Sequence, residues 1–191
     1  MTNLNPQTLP PFQIAATAKG LFSDAEMDQL IADHAPALTE GRLGTGKSDA
    51  EIRRSQVVLI ENSQRYEWLY RRFWEAATAL NRQYFCVDIS YIEGSIQLAR
   101  YDSANQGFYD WHTDFGDLAP GRKISITVQL TDPSEYDGGD LELFFRSPPH
   151  KMDRTRGAFI AFPSFVVHRV TPVTRGTRWS LVAWVCGKRW A

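Results

Sequence analysis

The sequence predicts an α+β fold that is mainly β, in which N-terminal helices pack on one sheet of an antiparallel jelly-roll barrel. The length of 191 residues, with 43% hydrophobic and 13% aromatic residues, is typical of one globular domain. Two helix signals precede residue 94, and a series of short strand signals separated by turn motifs follows it. This order predicts a β core that is covered on one side by helices.

The first segment contains an arm and a helix. Three prolines before residue 12 prevent a regular helix there, so residues 1–19 are expected to form an arm. Ser23 and Glu26 have the spacing of a capping box, in which each side chain accepts a hydrogen bond from the other residue's backbone. The helix that begins there is expected to reach about Leu38, and the glycine-rich residues 40–49 are expected to form a loop.

A second, stronger helix signal follows a short strand. The β-branched residues 56–60 predict the strand, and the helix is expected to begin near Ser63. Apolar residues then recur at three- and four-residue steps and form one stripe: Tyr66, Leu69, Tyr70, Phe73, Trp74, Ala77 and Leu80. Such a broad stripe needs a flat surface such as a sheet, so residues 20–93 are expected to be a helical support region.

The pattern changes to short strands from Gly94 onward. The expected strands lie at about 95–102, 122–130, 140–145, 157–162, 165–170 and 178–186. Turn signals rich in glycine, proline and aspartate separate them. We expect residues 94–187 to form the barrel and residues 1–191 to be a single domain, because the sequence contains no internal repeat or low-complexity tract.

Charge and cysteine content argue against several classes of protein. The formal net charge is -1, which gives no electrostatic footprint for nucleic acid or an anionic membrane. Cys86 and Cys186 are the only cysteines and have neither disulfide-framework nor zinc-finger spacing. No signal-peptide pattern or membrane-length apolar run is present. We therefore expect a cytoplasmic protein that binds neither nucleic acid nor membrane.

A candidate metal site is present in the second half of the chain. His112 and Asp114 form a His-x-Asp motif, and in an extended chain alternate residues point to the same face. His168 lies in an apolar strand segment, where an imidazole needs a polar partner or a metal. Two histidines and one carboxylate are the ligand set of non-heme Fe(II) oxygenases, although Zn(II) binds similar sets. His-x-Asp alone is a weak motif, and a single strand histidine is often a hydrogen-bonded core residue.

Arg178 strengthens the case for a site. It follows His168 by ten residues, across a turn that contains Pro172 and Gly176. The two flanking strands are expected to pair antiparallel and to place Arg178 beside the metal pocket. A guanidinium on an inward face is costly unless it meets an anion, and a carboxylate would bind it in bidentate fashion. The alternative is a surface arginine at the start of a strand.

Two further arginines precede a predicted strand. Arg53 and Arg54 are candidates for contact with a substrate carboxylate, but a solvated face is the favoured interpretation.

Four segments of the sequence resemble a known family. They are QLARY at 97–101, WHTD at 111–114, YDGGDL at 136–141 and HRVTPVTRGTR at 168–178. They resemble the Fe(II)- and 2-oxoglutarate-dependent dioxygenases, in particular the prolyl/lysyl hydroxylase-like (PKHD-type) branch. The resemblance covers roughly residues 94–187.

The resemblance implies a fold and a reaction. The fold is a double-stranded β-helix, which is a distorted jelly roll. The reaction hydroxylates an unactivated C–H bond, of a prolyl or lysyl residue or a related amino acid, while 2-oxoglutarate and O2 are converted to succinate and CO2. The expected partner is therefore a peptidyl or small-molecule substrate. The expected cofactors are Fe(II) and 2-oxoglutarate, with ascorbate as a supporting reductant.

The resemblance also implies residue roles. The implied iron ligands are His112, Asp114 and His168. The implied co-substrate contacts are Arg178, which pairs with the distal carboxylate of 2-oxoglutarate, together with Tyr101, Gln129 and Ser180. The strand after the triad lacks a tyrosine found in some prolyl hydroxylases, so that either Gln129 or Thr127 must serve there.

Two other functions remain alternatives. One is a non-catalytic metal- or ligand-binding β-barrel of the same fold. The other is nucleic-acid demethylation by the same chemistry. Demethylases of this family typically carry a second arginine six residues after the co-substrate arginine, and here that position is Trp184.

Overall fold

In the described part of the chain, antiparallel strands form the body of the fold and two α-helices cover one side of them. The computed structural model describes residues 13–42 and 49–189. The helices are α1 (Asp24–His34) and α2 (Glu67–Leu80). The strands in chain order are β1 (Ala16–Ala18), β2 (Thr39–Glu40), β3 (Arg53–Arg54), β4 (Gln56–Ile60), β5 (Tyr91–Ile92), β6 (Ile96–Asp102), β7 (Phe108–His112), β8 (Arg122–Gln129), β9 (Asp137–Gly138), β10 (Leu141–Phe144), β11 (His150–Lys151), β12 (Phe159–Pro163), β13 (Val167–Val170), β14 (Val173–Arg175) and β15 (Thr177–Cys186).

The strands form two main sheets that pack face to face. The large sheet has eight strands in the order β1-β12-β8-β15-β6-β4-β2, with β5 paired to β15. The small sheet has five strands in the order β11-β10-β13-β7-β3, and β14 pairs with β9 in a separate ribbon. Every strand pair in residues 13–42 and 49–189 is antiparallel. The predicted class, mainly β with helices on one sheet, is confirmed.

The helices cover the outer face of the large sheet, as the apolar stripe predicted. Leu69, Phe73 and Ala77 of α2 are fully buried in one cluster with side chains from β6, β8, β12 and β15. Phe73 packs edge-on against Phe159, with ring centroids 5.3 Å apart. α2 begins four residues later than expected, at Glu67.

The predicted capping box is confirmed at the start of α1. The Ser23 hydroxyl accepts a hydrogen bond from the backbone N–H of Glu26, and the Glu26 carboxylate accepts one from the backbone N–H of Ser23. The α-helix ends at His34, earlier than the predicted Leu38, and a short 3₁₀ turn over Ala35–Ala37 follows. Pro36 lies in that turn, and its missing N–H cannot continue the α-helical hydrogen bonds.

The N-terminal arm has more structure than expected. Ala16–Ala18 lie in the predicted arm, yet they pair with β12 at the edge of the large sheet. Residues 1–12 and 43–48 lie outside the described part of the chain, as do most of the predicted arm and the centre of the predicted 40–49 loop. Among the described helices, none has the length and hydropathy required to span a membrane.

Strand β8 separates an apolar layer from a polar one. Ile124 and Val128 lie in the cluster under the helices, whereas Ser125 and Thr127 line a cavity between the two sheets. Alternate residues of a strand point to opposite faces, and both faces of β8 are buried. β8 therefore contributes polar side chains to the cavity wall, which also includes apolar side chains such as Phe162 and Val182.

One predicted strand pair is wrong. The strand with His168, β13, pairs with β10 and β7 of the small sheet, whereas the strand with Arg178, β15, pairs with β5, β6 and β8 of the large sheet. The chain between them forms β14 and then turns at Gly176, whose φ of 68° suits glycine. A Cβ at Gly176 would lie 2.0 Å from the Glu135 carbonyl oxygen, so the turn excludes larger residues.

Candidate active site

Three side chains that could bind a metal converge where β7 and β13 of the small sheet pair. His112 and His168 are direct cross-strand partners on β7 and β13, with ring centroids 4.1 Å apart. Asp114 follows the end of β7, and its carboxylate oxygens lie 3.9 Å from His112 Nε2 and 3.4 Å from His168 Nε2. The ligand atoms all lie within 4.8 Å of one another.

Backbone carbonyls orient both imidazoles. The Nδ1 atom of His112 lies 2.7 Å from the Asp110 carbonyl oxygen, and Nδ1 of His168 lies 2.9 Å from the Val166 carbonyl oxygen. A carbonyl oxygen can only accept, so Nδ1 is the protonated nitrogen in the neutral form of each ring, and in that form Nε2 keeps a free lone pair. Both lone pairs are on the nitrogens that face Asp114.

The donor set fits a divalent transition metal. Ligands about 2.1 Å from one ion and roughly at right angles would lie about 3 Å apart, close to the separations of 3.4 and 3.9 Å found here. Two imidazoles and one carboxylate on one side of an ion leave its other positions open. These ligand types suit both Fe(II) and Zn(II), and the sequence alone did not distinguish between the two metals.

Two serines that the sequence analysis missed support the carboxylate ligand. The Ser125 hydroxyl donates to Asp114 Oδ2 at 2.6 Å and lies 3.0 Å from the Ser164 hydroxyl. The Ser164 carbonyl oxygen accepts from the backbone N–H groups of Asp114 and Phe115. Burial alone would raise the pKa of Asp114, but the two imidazoles and Ser125 lower it below the usual value, so the carboxylate is ionised.

Replacement of Ser125 should weaken metal binding. In Ser125→Ala, Asp114 loses its shortest hydrogen bond, and loss of such an outer partner typically costs about 10- to 100-fold in metal affinity. We expect the dissociation constant of Co(II), followed by its visible absorption, to rise by about that factor. Ser134→Ala, which removes an exposed hydroxyl bonded to Asp132, is the control. An unchanged affinity in Ser125→Ala would show that Asp114 does not depend on this bond.

His112 is neutral at physiological pH. Burial, with a smaller effect from nearby His168, lowers the pKa of His112 from 6.5 to about 4. The folded protein therefore holds the imidazole in the form that can bind a metal.

This lowered pKa predicts a pH-dependent loss of stability in the metal-free protein. Between pH 6.5 and about 4, the unfolded chain protonates His112 and the folded chain does not, so the free energy of unfolding falls as the pH falls. We expect a contribution on the order of 2 kcal/mol across this window. Denaturant unfolding at a series of pH values would measure it. The wild-type curve should fall more steeply than that of His112→Asn, and parallel curves would contradict the assignment.

Arg178 lies in the same cavity as the three candidate metal ligands. Its side chain is 1% exposed, and Nε and Nη2 donate to Gln129 Oε1 at 3.2 and 3.0 Å. The guanidinium lies 5.5 Å from the centre of the Tyr101 ring. Nη1 of Arg178 and the hydroxyl of Ser180 are buried and have no hydrogen-bond partner among the described residues. These two atoms are donors that a carboxylate would satisfy.

The cavity brings most of the predicted site residues together. Its volume is about 500 Å³, within the usual range for small-molecule sites. The predicted residues that line it are His112, Asp114, His168, Tyr101, Thr127, Arg178 and Ser180. Gln129 does not line the cavity and instead contacts the Arg178 guanidinium and the Asp153 carbonyl. Of the two residues predicted to replace the missing tyrosine, Gln129 and Thr127, it is Thr127 that lines the cavity.

The favoured interpretation of Arg53 is wrong. A solvated face was expected, but Arg53 is 7% exposed and lines the cavity. Arg54, the next residue, is half-buried and contacts the Phe108 ring. Consecutive residues of a strand point to opposite faces, so Arg53 and Arg54 point in opposite directions. The sequence contained no signal that showed which of the two would point into the cavity.

The sequence of the barrel is similar to that of known proteins. Residues 96–186, just under half of the chain, match the family model for the 2OG-Fe(II) oxygenase superfamily. A PKHD-type hydroxylase of Synechococcus sp. (strain CC9311) is 38% identical over 81 residues, which are 42% of this chain and 37% of that relative. The chain thus spans little more than a third of that relative's length in the matched region. The family match and the three-ligand cluster confirm the predicted cofactors, Fe(II) and 2-oxoglutarate.

Solved structures confirm the fold. A prolyl-4-hydroxylase of Pseudomonas putida superposes with a TM-score of 0.73 at 20% identity, over 92% of this chain and 93% of that one. A prolyl hydroxylase from Trichoplax adhaerens, in complex with a peptide fragment of a hypoxia inducible factor, gives a TM-score of 0.78 at 17% identity, over 91% and 84%. At these identities the likeness establishes the predicted double-stranded β-helix and nothing finer.

Proposed function

We propose that this chain is an Fe(II)- and 2-oxoglutarate-dependent hydroxylase of the 2OG-Fe(II) oxygenase superfamily, whose family model matches residues 96–186. One observation carries the proposal: the three candidate ligand side chains line one cavity with a buried arginine that no described carboxylate pairs with. Bound Fe(II) supplies the oxidative chemistry in which 2-oxoglutarate, O2 and a C–H bond yield succinate, CO2 and an alcohol.

Different residues would bind the metal and the co-substrate. His112, Asp114 and His168 would hold the metal from one side, with Ser125 fixing the carboxylate. Arg178 Nη1 and the Ser180 hydroxyl would bind the distal carboxylate of 2-oxoglutarate, and Gln129 would hold the guanidinium in place. Burial of these groups keeps water away from the charges and strengthens each interaction.

The substrate proposed for this chemistry is a prolyl or lysyl residue or a related amino acid. Support comes from the likeness to PKHD-type hydroxylases and from structural neighbours described as prolyl hydroxylases. The alternative of nucleic-acid demethylation gains no support at Trp184, whose ring packs under Arg122 at 3.8 Å.

The test uses the metal-free protein loaded with Fe(II) without oxygen. Addition of 2-oxoglutarate should produce the weak visible charge-transfer band that is usual in this family. Exposure to O2 with a panel of prolyl and lysyl substrates should then yield succinate, measured by mass spectrometry. A metal-loaded protein that does not bind 2-oxoglutarate would refute the proposal. Binding of 2-oxoglutarate with no succinate from any substrate would favour the non-catalytic barrel.

A further inference from the structure

The cavity contains a second buried guanidinium. Among the described residues, Arg53 and Arg178 are the only buried arginines, at 7% and 1% exposure, and both line the cavity. They come from facing sheets, because Arg53 is on β3 of the small sheet and Arg178 is on β15 of the large sheet. The proposed function assigns an anion to Arg178 and none to Arg53.

Within the described ranges, the hydrogen-bond partners of Arg53 are all neutral. Its Nε donates to the Ser55 hydroxyl at 2.7 Å, and Nη1 donates to the Arg42 carbonyl at 3.0 Å. All 22 Asp and Glu residues of the sequence lie within the described ranges, and none of them forms an ion pair with Arg53 there. Arg122, another cavity residue, is instead paired with Glu93 at 2.6 Å.

Arg53 is also close to the metal ligands. Its guanidinium lies 4.7 Å from the centre of the Tyr109 ring, and that ring stacks on His112 with a centroid distance of 3.6 Å and an interplanar angle of 14°. A single aromatic ring therefore separates the guanidinium from a metal ligand. The hydrogen bonds to Ser55 and to the Arg42 carbonyl hold the side chain in this position.

We propose that Arg53 binds the carboxylate of the substrate, and that the substrate is a free amino acid. The inference rests on the proposed function and names the substrate class of the same site. A buried guanidinium is costly without an anion, and its planar fork matches a carboxylate. Only the Tyr109 ring lies between the Arg53 guanidinium and His112. A substrate whose carboxylate binds Arg53 must therefore have the carbon that is hydroxylated only a few bonds from that carboxylate, as an amino acid does. The cavity of about 500 Å³ has room for two small molecules.

The test measures binding, not turnover. Protein loaded with Mn(II) and 2-oxoglutarate, without oxygen, is titrated by calorimetry with free L-proline and L-lysine and with L-prolinamide and L-lysinamide, which lack the carboxylate. At least one acid should bind about 30-fold more tightly than its amide. Arg53→Met should weaken binding of that acid by about 30-fold and remove the discrimination, and Arg53→Lys should retain part of it. Thermal unfolding of each variant reports its folding.

Arg54→Met is the matched control. Arg54 is the next residue, donates to the backbone carbonyls of Ala50 and Asn105, and should leave acid binding unchanged when replaced. The proposal is wrong if neither acid binds, if the amides bind as tightly as the acids, or if Arg53→Met impairs 2-oxoglutarate binding instead. A wild-type protein that binds Mn(II) and 2-oxoglutarate but neither acid would overturn this inference and leave the proposed function intact.

Discussion

Arg178→Met is expected to weaken 2-oxoglutarate binding by about 100-fold and to leave metal binding unchanged. Truncation of one partner of a buried charge pair costs about 2 to 5 kcal/mol, because the other charge is left desolvated and unpaired. Arg178 is nearly inaccessible to solvent, and no described carboxylate forms an ion pair with it. Water therefore cannot replace the guanidinium that the variant lacks.

The measurement is calorimetric titration of the Mn(II)-loaded protein with 2-oxoglutarate in the absence of oxygen. Arg175→Met is the matched control, because Arg175 precedes the same strand but pairs with Asp137 on the exposed β14–β9 ribbon. Arg178→Lys should restore part of the affinity, since it keeps the charge and loses the fork. An affinity within threefold (about 0.7 kcal/mol) of the wild type in a folded Arg178→Met protein would exclude Arg178 from the co-substrate site.

The second large effect is expected for His168→Ala. Removal of a metal ligand should lower metal affinity by more than about 100-fold, beyond the 10- to 100-fold typical of an outer hydrogen-bond partner. Succinate formation should fall below detection, because only one imidazole and one carboxylate remain. His168 is 6% exposed and is fixed by the Val166 carbonyl, so no neighbouring imidazole can take its position without a change in the β7–β13 pairing.

Co(II) titration followed by visible absorption measures this affinity directly, and thermal unfolding shows whether the variant is folded. His150→Ala is the control. His150 lies on β11 of the same sheet and contacts Arg146 and Phe145 rather than the triad. A His168→Ala protein that binds Co(II) as tightly as His150→Ala would show that the metal is held elsewhere.

The residues of the candidate site differ in how far the sequence could predict their positions. The triad was predictable, because His112 and Asp114 are two residues apart in an extended segment and an imidazole in an apolar strand needs a partner. Ser125 was missed, although the alternation of Ser125, Thr127 and Gln129 with apolar residues in β8 is a signal that could have found it. Arg53 could not be assigned, since its burial depends on β7, more than fifty residues later in the chain.

The sequence by itself determined the local structure and the ligand types. The capping box placed the start of α1, the periodic stripe placed the buried face of α2, and the residue types of the triad indicated the metal chemistry, because these depend on neighbours along the chain. Only the tertiary structure decided that His168 and Arg178 belong to different sheets, and that Arg53 points into the cavity between them. Strand pairing and burial are contacts between distant segments, and the free energies that select one pairing over another are not encoded in any local pattern.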